Sequence, residues 1–412
     1  MLVFYTFSQV KHAFTPEAAE FTLFLKTLRK TDALTTFILA CNQSCNSSFP
    51  SLSGDKNGSI CYSSISRKSY NLLFFFDTIC CEHFVLVQNT SFVSAIYFPD
   101  KNVFLYGSKG ESYYRGILED EEEDIGGRMR GFSSEDRYDY FLINGYPRPY
   151  HYFYDITPTI IESLLSNGKI KIATKKELAF LSGKELTSMV GGGVSYDYED
   201  VVRRKESVMI LPGQVVKKDA EEKIAPLKKF ILGGCFSSSR RRYGVVNLWI
   251  GLCSEKRFLL NFYEVIDFLI NEFSGRGRLV VFCDGLTSPS GYETSLFRNM
   301  FCDEEIKVYK KLLNLYPDVS FVDLVGAKAG EKIKAASRID YFFSNALTDS
   351  MWCSAFFDKK GIVYCSPRAE LKYHLHNSSN VVFSKQGSAN QGDNYSHDSV
   401  YLDLQDVRAA LE

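Results

Sequence analysis

The chain has 412 residues, 45% of them hydrophobic, and its 48 Lys and Arg stand against 49 Asp and Glu for a formal charge of -1. It is too long for one ordinary domain and apolar enough to fill two cores, so two domains are expected. The near balance of charge argues against a general affinity for nucleic acid or an anionic membrane surface, and leaves any anion binding to local basic clusters.

Along residues 1–135, short apolar segments (Thr36 to Ala40, Leu72 to Phe76, Phe84 to Val87, Val103 to Tyr106) alternate with Ser-, Asn- and Gly-rich turns. This rhythm predicts strands with few long helices. The acidic run from Glu119 to Asp124 reads as a solvated loop. A strand is expected from Tyr140 to Ile143 and a helix from Tyr150 to Leu165, while Gly191 to Gly193 and the polar segment Ser195 to Lys205 read as a loop. The Lys- and Glu-rich stretch from Leu211 to Pro226 marks a boundary, giving domains of residues 1–225 and 226–412.

Beyond residue 228 the pattern becomes regular. The run Val245 to Leu252, the basic cluster Glu255-Lys256-Arg257 opening an amphipathic helix to Phe273, and the run Leu279 to Asp284-Gly285 spell one βαβ unit. A helix from Asp303 to Leu315, a strand from Val319 to Asp323, a helix from Ala329 to Ser337 and a strand from Ile339 to Phe343 follow. A helix from Asp349 to Phe357, a strand from Gly361 to Tyr364 and an amphipathic run from Val400 to Leu411 complete the series. This spacing predicts an α/β fold whose C-terminal half is a doubly wound parallel sheet.

The loops at the carboxyl ends of such strands are where ligands bind, and a helix N-terminus there favours an anion. Gly251 permits close backbone approach, Ser254 can cap the following helix, and Lys256 and Arg257 can meet a diphosphate. Arg240, Arg241 and Arg242 add positive potential, though no GxGxxG is present. Asp284 and Gly285, followed by Thr287 and Ser288, form a second polar strand end. Asn345, Thr348 and Ser350 lie at a third, where a phosphate site and a plain helix cap are equally good readings. In the N-terminal half, Arg148 precedes His151 and Asp155. Their spacing shares one helical face, so the carboxylate can orient the imidazole as a general base; a packed core histidine is the competing reading. The eleven cysteines contain no CxxC pair, the start lacks a basic leader, and no apolar run approaches membrane-spanning length, so a soluble cytoplasmic protein is expected.

The segment Asn247-Leu-Trp-Ile-Gly-Leu-x-x-Glu-Lys-Arg257, the Asp284-Gly285 strand end and Asp340-Tyr-Phe-Phe-Ser-Asn-x-x-Thr348 resemble the donor half of GT-B glycosyltransferases from bacterial capsule and O-antigen loci. Arg148-Pro-Tyr-His151-Tyr-Phe-Tyr-Asp155 looks like the His-x-x-x-acid helix of family 61-like members. The resemblance departs at Ala346-Leu347, where related enzymes carry Gly-Thr. It implies two Rossmann-like domains, a nucleotide-sugar donor and a glycan or lipid-linked glycan acceptor. His151 would be the base and Asp155 its orienter, with Arg257 and the Thr348 turn on the leaving diphosphate. No metal and no nucleic acid are implied, and peripheral association with membrane-bound assembly machinery is compatible with it. A polysaccharide pyruvyl transferase and an inactive sugar-binding scaffold are the alternatives.

Overall fold

The computed structural model describes residues 3–6, 59–67, 69–77, 81–89, 92–106, 110–132, 139–166, 170–204, 207–212, 220–235, 244–252, 259–346, 348–366, 379–383 and 399–411. The chain divides into two compact units. One comprises residues 1–146, 155–175 and 182–216, the other residues 147–154, 176–181 and 217–412.

The first unit begins with the predicted apolar segments. Strands β2 (Ser59–Ser66), β3 (Asn71–Asp77), β4 (Glu82–Asn89), β5 (Phe92–Phe98) and β6 (Val103–Tyr106) pair antiparallel in sequence order, and β1 (Val3–Thr6) joins β6 in parallel. One face packs Ile65, Leu72, Phe74, Val85, Val87 and Phe104 against Tyr114, Ile117 and Ile125 of helix α1 (Glu111–Arg130). The acidic run is therefore not a loop but the middle of this helix. Glu121 occupies a position spaced like the apolar contacts and is 2% exposed. The strand candidate at Thr36 lies outside the described residues.

Four parallel strands follow in the order β10-β7-β8-β9: β7 (Asp139–Asn144), β8 (Lys171–Thr174), β9 (Val194–Asp197) and β10 (Ser207–Ile210). β9 and the short helix α4 (Tyr198–Val202) replace the expected loop after Gly193. Helix α2 (Thr157–Ser166) is preceded by the turn Pro149–His151 and the wide π-type turn Tyr152–Ile156, so the predicted helix from Tyr150 to Leu165 is helical but not uniformly α. Helix α3 (Gly183–Val190) carries a capping box made by Ser182 and Glu185. The outer edge of β10 meets side chains instead of another strand. Ser64 Oγ accepts from Met209 N at 2.8 Å, and Asn71 Nδ2 donates to Met209 O at 3.1 Å. The Gln88 amide accepts from Leu211 N at 3.3 Å and donates to Leu211 O at 3.2 Å. The first unit thus contains two separate sheets, of which only the smaller is wholly parallel.

The second unit carries α5 (Ala220–Phe230) and a six-stranded, wholly parallel sheet: β11 (Val245–Gly251), β12 (Arg278–Asp284), β13 (Ser320–Leu324), β14 (Tyr341–Asn345), β15 (Lys360–Cys365) and β16 (Ser379–Phe383). The spatial order β13-β12-β11-β14-β15-β16 is the 3-2-1-4-5-6 order of a doubly wound nucleotide-binding fold. Strands β11, β12, β14 and β15 are largely buried on both faces, which is why they read as apolar runs. On one face Leu248, Ile250, Val281, Cys283, Phe343 and Ile362 pack against α6 (Phe262–Ser274), α7 (Thr294–Phe301), α8 (Asp303–Leu315) and α11 (Leu404–Ala409). Side chains alternate along a strand, so Trp249, Gly251, Phe282, Asp284, Phe342 and Ser344 belong to the other face, that of α9 (Ala329–Ala336) and α10 (Thr348–Phe357). Helix α6 starts at Phe262 and not at the basic cluster of residues 255–257.

Candidate functional site

The sheet of the second unit changes direction between β11 and β14, and the carboxyl ends of those two strands border its crevice. Gly251 ends β11, stands in register with Asp284 at the end of β12, and is followed by Leu252, whose N–H donates to Asp284 O at 2.6 Å. A Cβ on Gly251 would lie 3.0 Å from Ser344 Cβ and 3.6 Å from Asp349 Cβ. Only glycine lets the two strand ends and the first turn of α10 close to this separation. Ser344 is fully buried, and among the described residues neither its Oγ nor the Trp249 Nε1 on the same face has a hydrogen-bond partner.

Beneath the crevice sits an ion pair between Asp284, 2% exposed, and Lys332 of α9, fully buried. Lys332 Nζ donates to Gly285 O at 2.6 Å, Leu286 O at 3.2 Å and Thr287 Oγ1 at 2.9 Å. An ammonium has three protons, which these three oxygens and Asp284 Oδ1, 2.5 Å from the same nitrogen, share. Lys332 therefore both shapes the loop after β12 and pairs with Asp284. Burial pushes the Asp284 carboxyl up to about 7; Lys332 opposes the rise and the nearby charge of Asp349 adds to it.

Among the described residues, Asp284 and Asp349 bring carboxylates to this crevice, and Lys332 lies buried below it.

The sequence-derived residues fall as follows. Gly251 and Asp284 come together beside Ser344, which was not singled out from the sequence, and Gly285 follows with its carbonyl on Lys332 and Glu305 packed against its Cα. Asn345 is buried at the end of β14, and Ser350 is buried inside α10, where its carbonyl accepts from Ser354 Oγ at 2.6 Å. Thr348 opens α10, as expected of the segment after β14. Ser254, Lys256, Arg257 and Arg240 to Arg242 lie outside the described residues. Arg148 is exposed and begins the turn that carries His151, which is half-buried with its ring edge-on to Tyr150 at 5.3 Å; Asp155 is fully buried in the π-type turn. Sequence reasoning did not find Lys332, because a lysine between Glu331 and Ile333 reads as solvated; the small residues Ala329, Ala335 and Ala336 around it were the available signal.

The first unit holds a second cluster that sequence reasoning passed over. Arg67, just after β2, forks Nε and Nη2 onto Glu121 at 2.6 and 2.7 Å, and Tyr70 OH donates to Glu121 Oε1 at 2.7 Å. From the carboxyl edge of the parallel sheet, Lys175 Nζ donates to Ser66 Oγ at 2.9 Å and Arg67 O at 3.1 Å, with the Tyr198 ring 4.4 Å away. Tyr198 OH donates to Ser66 O at 2.8 Å. Burial lowers the Lys175 ammonium to about 8, with Glu199 opposing and Arg67 assisting. The β2–β3 turn is in this way clamped from both sides.

Among the described residues no three His, Cys, Asp or Glu side chains gather as a metal ligand set, and no helix is long and apolar enough to cross a membrane. In sequence the chain matches no known family model and no curated protein.

Proposed function

We propose that the protein is a glycosyltransferase that moves a sugar from a nucleotide-sugar to a hydroxyl of a surface-polysaccharide or other glycan acceptor. One observation carries the reading: a 3-2-1-4-5-6 parallel sheet whose first strand ends in a glycine packed against the end of the fourth, with an aspartate ending the second. This is the arrangement in which open α/β sheets bind nucleotides.

In this reading the second unit takes the donor as one half of a GT-B pair. Gly251, Asp284, Gly285, Asn345 and Ser350 frame the crevice, and the diphosphate falls to Lys256, Arg257 and the Thr348 turn. His151 accepts the proton of the acceptor hydroxyl with Asp155 orienting it; the hydroxyl oxygen attacks the anomeric carbon, and the bond from that carbon to the phosphate oxygen breaks. The leaving nucleoside diphosphate takes the bonding electron pair, and positive charge from the protein beside it lowers the barrier. Such a protein works in the cytoplasm, against the inner face of the membrane when its acceptor is lipid-linked.

The test is a thermal-shift screen against UDP-, GDP-, CMP- and dTDP-sugars, followed by measurement of donor hydrolysis and transfer. A ligand at 100 times its Kd adds about 2.7 kcal/mol of stability. No shift with any of the four classes sinks the reading; a shift without turnover favours a sugar-binding scaffold.

A further inference from the structure

The turn that carries His151 does not pack with the strand it follows. Residues 147–154, and residues 176–181 beyond β8, leave the first unit and join the second. The later excursion holds the loop after β12 by its backbone: Ser290 N donates to Ala179 O at 2.6 Å and Gly291 N to Lys176 O at 2.8 Å. A Cβ on Gly291 would stand 2.6 Å from Lys176 Cβ, so a side chain there would drive the two segments apart. The Tyr152 hydroxyl ties the two excursions together, accepting from Leu181 N at 3.0 Å and donating to Leu181 O at 2.9 Å.

Phe153 anchors the first excursion on α10. Its ring is fully buried and meets Trp352 at 5.3 Å and Phe356 at 5.9 Å, both edge-on, with Phe180 at 6.0 Å. Tyr150 stacks on Tyr154 at 4.6 Å across the same turn. Trp352 stands four residues beyond Thr348, about 6 Å along the helix axis. The backbone at His151 is thereby tied to the first turns of the helix that follows β14. Chain order puts His151 in the N-terminal half; its packing attaches it to the second unit.

We propose that Phe153 is a positioning residue that holds His151 on the nucleotide-binding unit, so that one body carries both the base and the donor. This rests on the glycosyltransferase reading above. A general base must reach its proton at hydrogen-bond distance, and a displacement of about 1 Å costs on the order of a hundredfold in rate. A buried ring wedged between two residues of one helix sets such a position more sharply than an exposed loop does.

The chain has six histidines, so in protein carrying isotope-labelled histidine the variant His151→Gln identifies the His151 ring resonance. UDP, GDP, CMP and dTDP are then titrated in turn. Saturation with a nucleotide that binds should move that resonance in wild type. Phe153→Ala should weaken the response and lower kcat for hydrolysis of the matching nucleotide-sugar by about 10- to 100-fold, with the nucleotide Kd within about twofold of wild type. Phe153→Leu keeps most of the apolar volume and should restore most of the rate; the wild-type titration stays decisive if the alanine variant does not fold. A role confined to stability would lower the melting temperature and leave both kcat and the resonance response unchanged, which overturns the proposal. So does a nucleotide that binds without moving the His151 resonance, and that result leaves the nucleotide reading standing. If none of the four binds, the reading falls and the proposal falls with it.

Discussion

Replacing Asp284 by Asn asks whether burial or the lysine governs this carboxyl. A titration point raised from its ordinary 3.8 to about 7 means that the folded protein holds a proton which the unfolded chain has already lost across that interval. For a carboxyl raised on folding, the stabilising contribution is complete below the unfolded value and is lost as pH rises through the folded one. Each unit of difference is worth about 1.4 kcal/mol, so this one group costs the wild type roughly 4 kcal/mol between pH 4 and pH 7. Asparagine keeps the shape of the protonated acid and cannot ionise. Denaturant unfolding of both proteins at pH 5, 6, 7 and 8 should show the difference moving in favour of Asp284→Asn by up to about 1.4 kcal/mol per unit up to pH 7, and levelling above it. If pairing with Lys332 dominates, the variant instead loses about 3 to 5 kcal/mol, level from pH 5 to 8 because a carboxyl lowered on folding is ionised in both states across that range. A level deficit of that kind would refute the reasoning.

Gly251→Ala places a Cβ 3.0 Å from Ser344 Cβ and should cost about 1 to 3 kcal/mol by overpacking; denaturant unfolding of Gly251→Ala/Ser344→Gly should show part of that loss restored. Glu121→Ala removes three short hydrogen bonds and should destabilise the first unit by about 2 to 3 kcal/mol. The same change should bring the Tyr70 phenol, raised by burial and then by Glu121, back toward its ordinary range on ultraviolet titration. Lys175 titrates near 8 when folded against 10.5 in the ordinary range, so wild type should gain stability relative to Lys175→Met as pH rises from 8 to 10, by up to about 1.4 kcal/mol per unit. A flat difference in unfolding free energy over that range would assign Lys175 no buried charge.

What could be read from the sequence follows burial geometry. The strands β11, β12, β14 and β15 stood out because a parallel strand covered on both faces is an apolar run, and α8 was placed correctly from Asp303 to Leu315. Asp284 was legible as the polar residue ending such a run. Helix α1 was hidden because Glu121 fills a slot that a periodic pattern would give to an apolar residue, and its buried charge is explained only by Arg67 and Tyr70, more than fifty positions away. β9 was hidden for another reason: Val194 and Asp197 are exposed and Ser195 and Tyr196 only half-buried, so no alternation marks it. The start of α6 was set too early because the basic residues 255–257 resembled a helix opening, whereas the helix begins at Phe262 after Asn261.

The outer edge of β10 has a consequence for how the protein behaves in a crowded solution. An open strand edge is a template on which any extended peptide can build, and proteins that leave one exposed risk joining edge to edge. Here the outward N–H and C=O groups of Met209 and Leu211 are occupied by Ser64, Asn71 and Gln88, three side chains that cannot extend the ladder. Shortening Asn71 or Gln88 to alanine would reopen that edge, and its first symptom would be self-association through added strands.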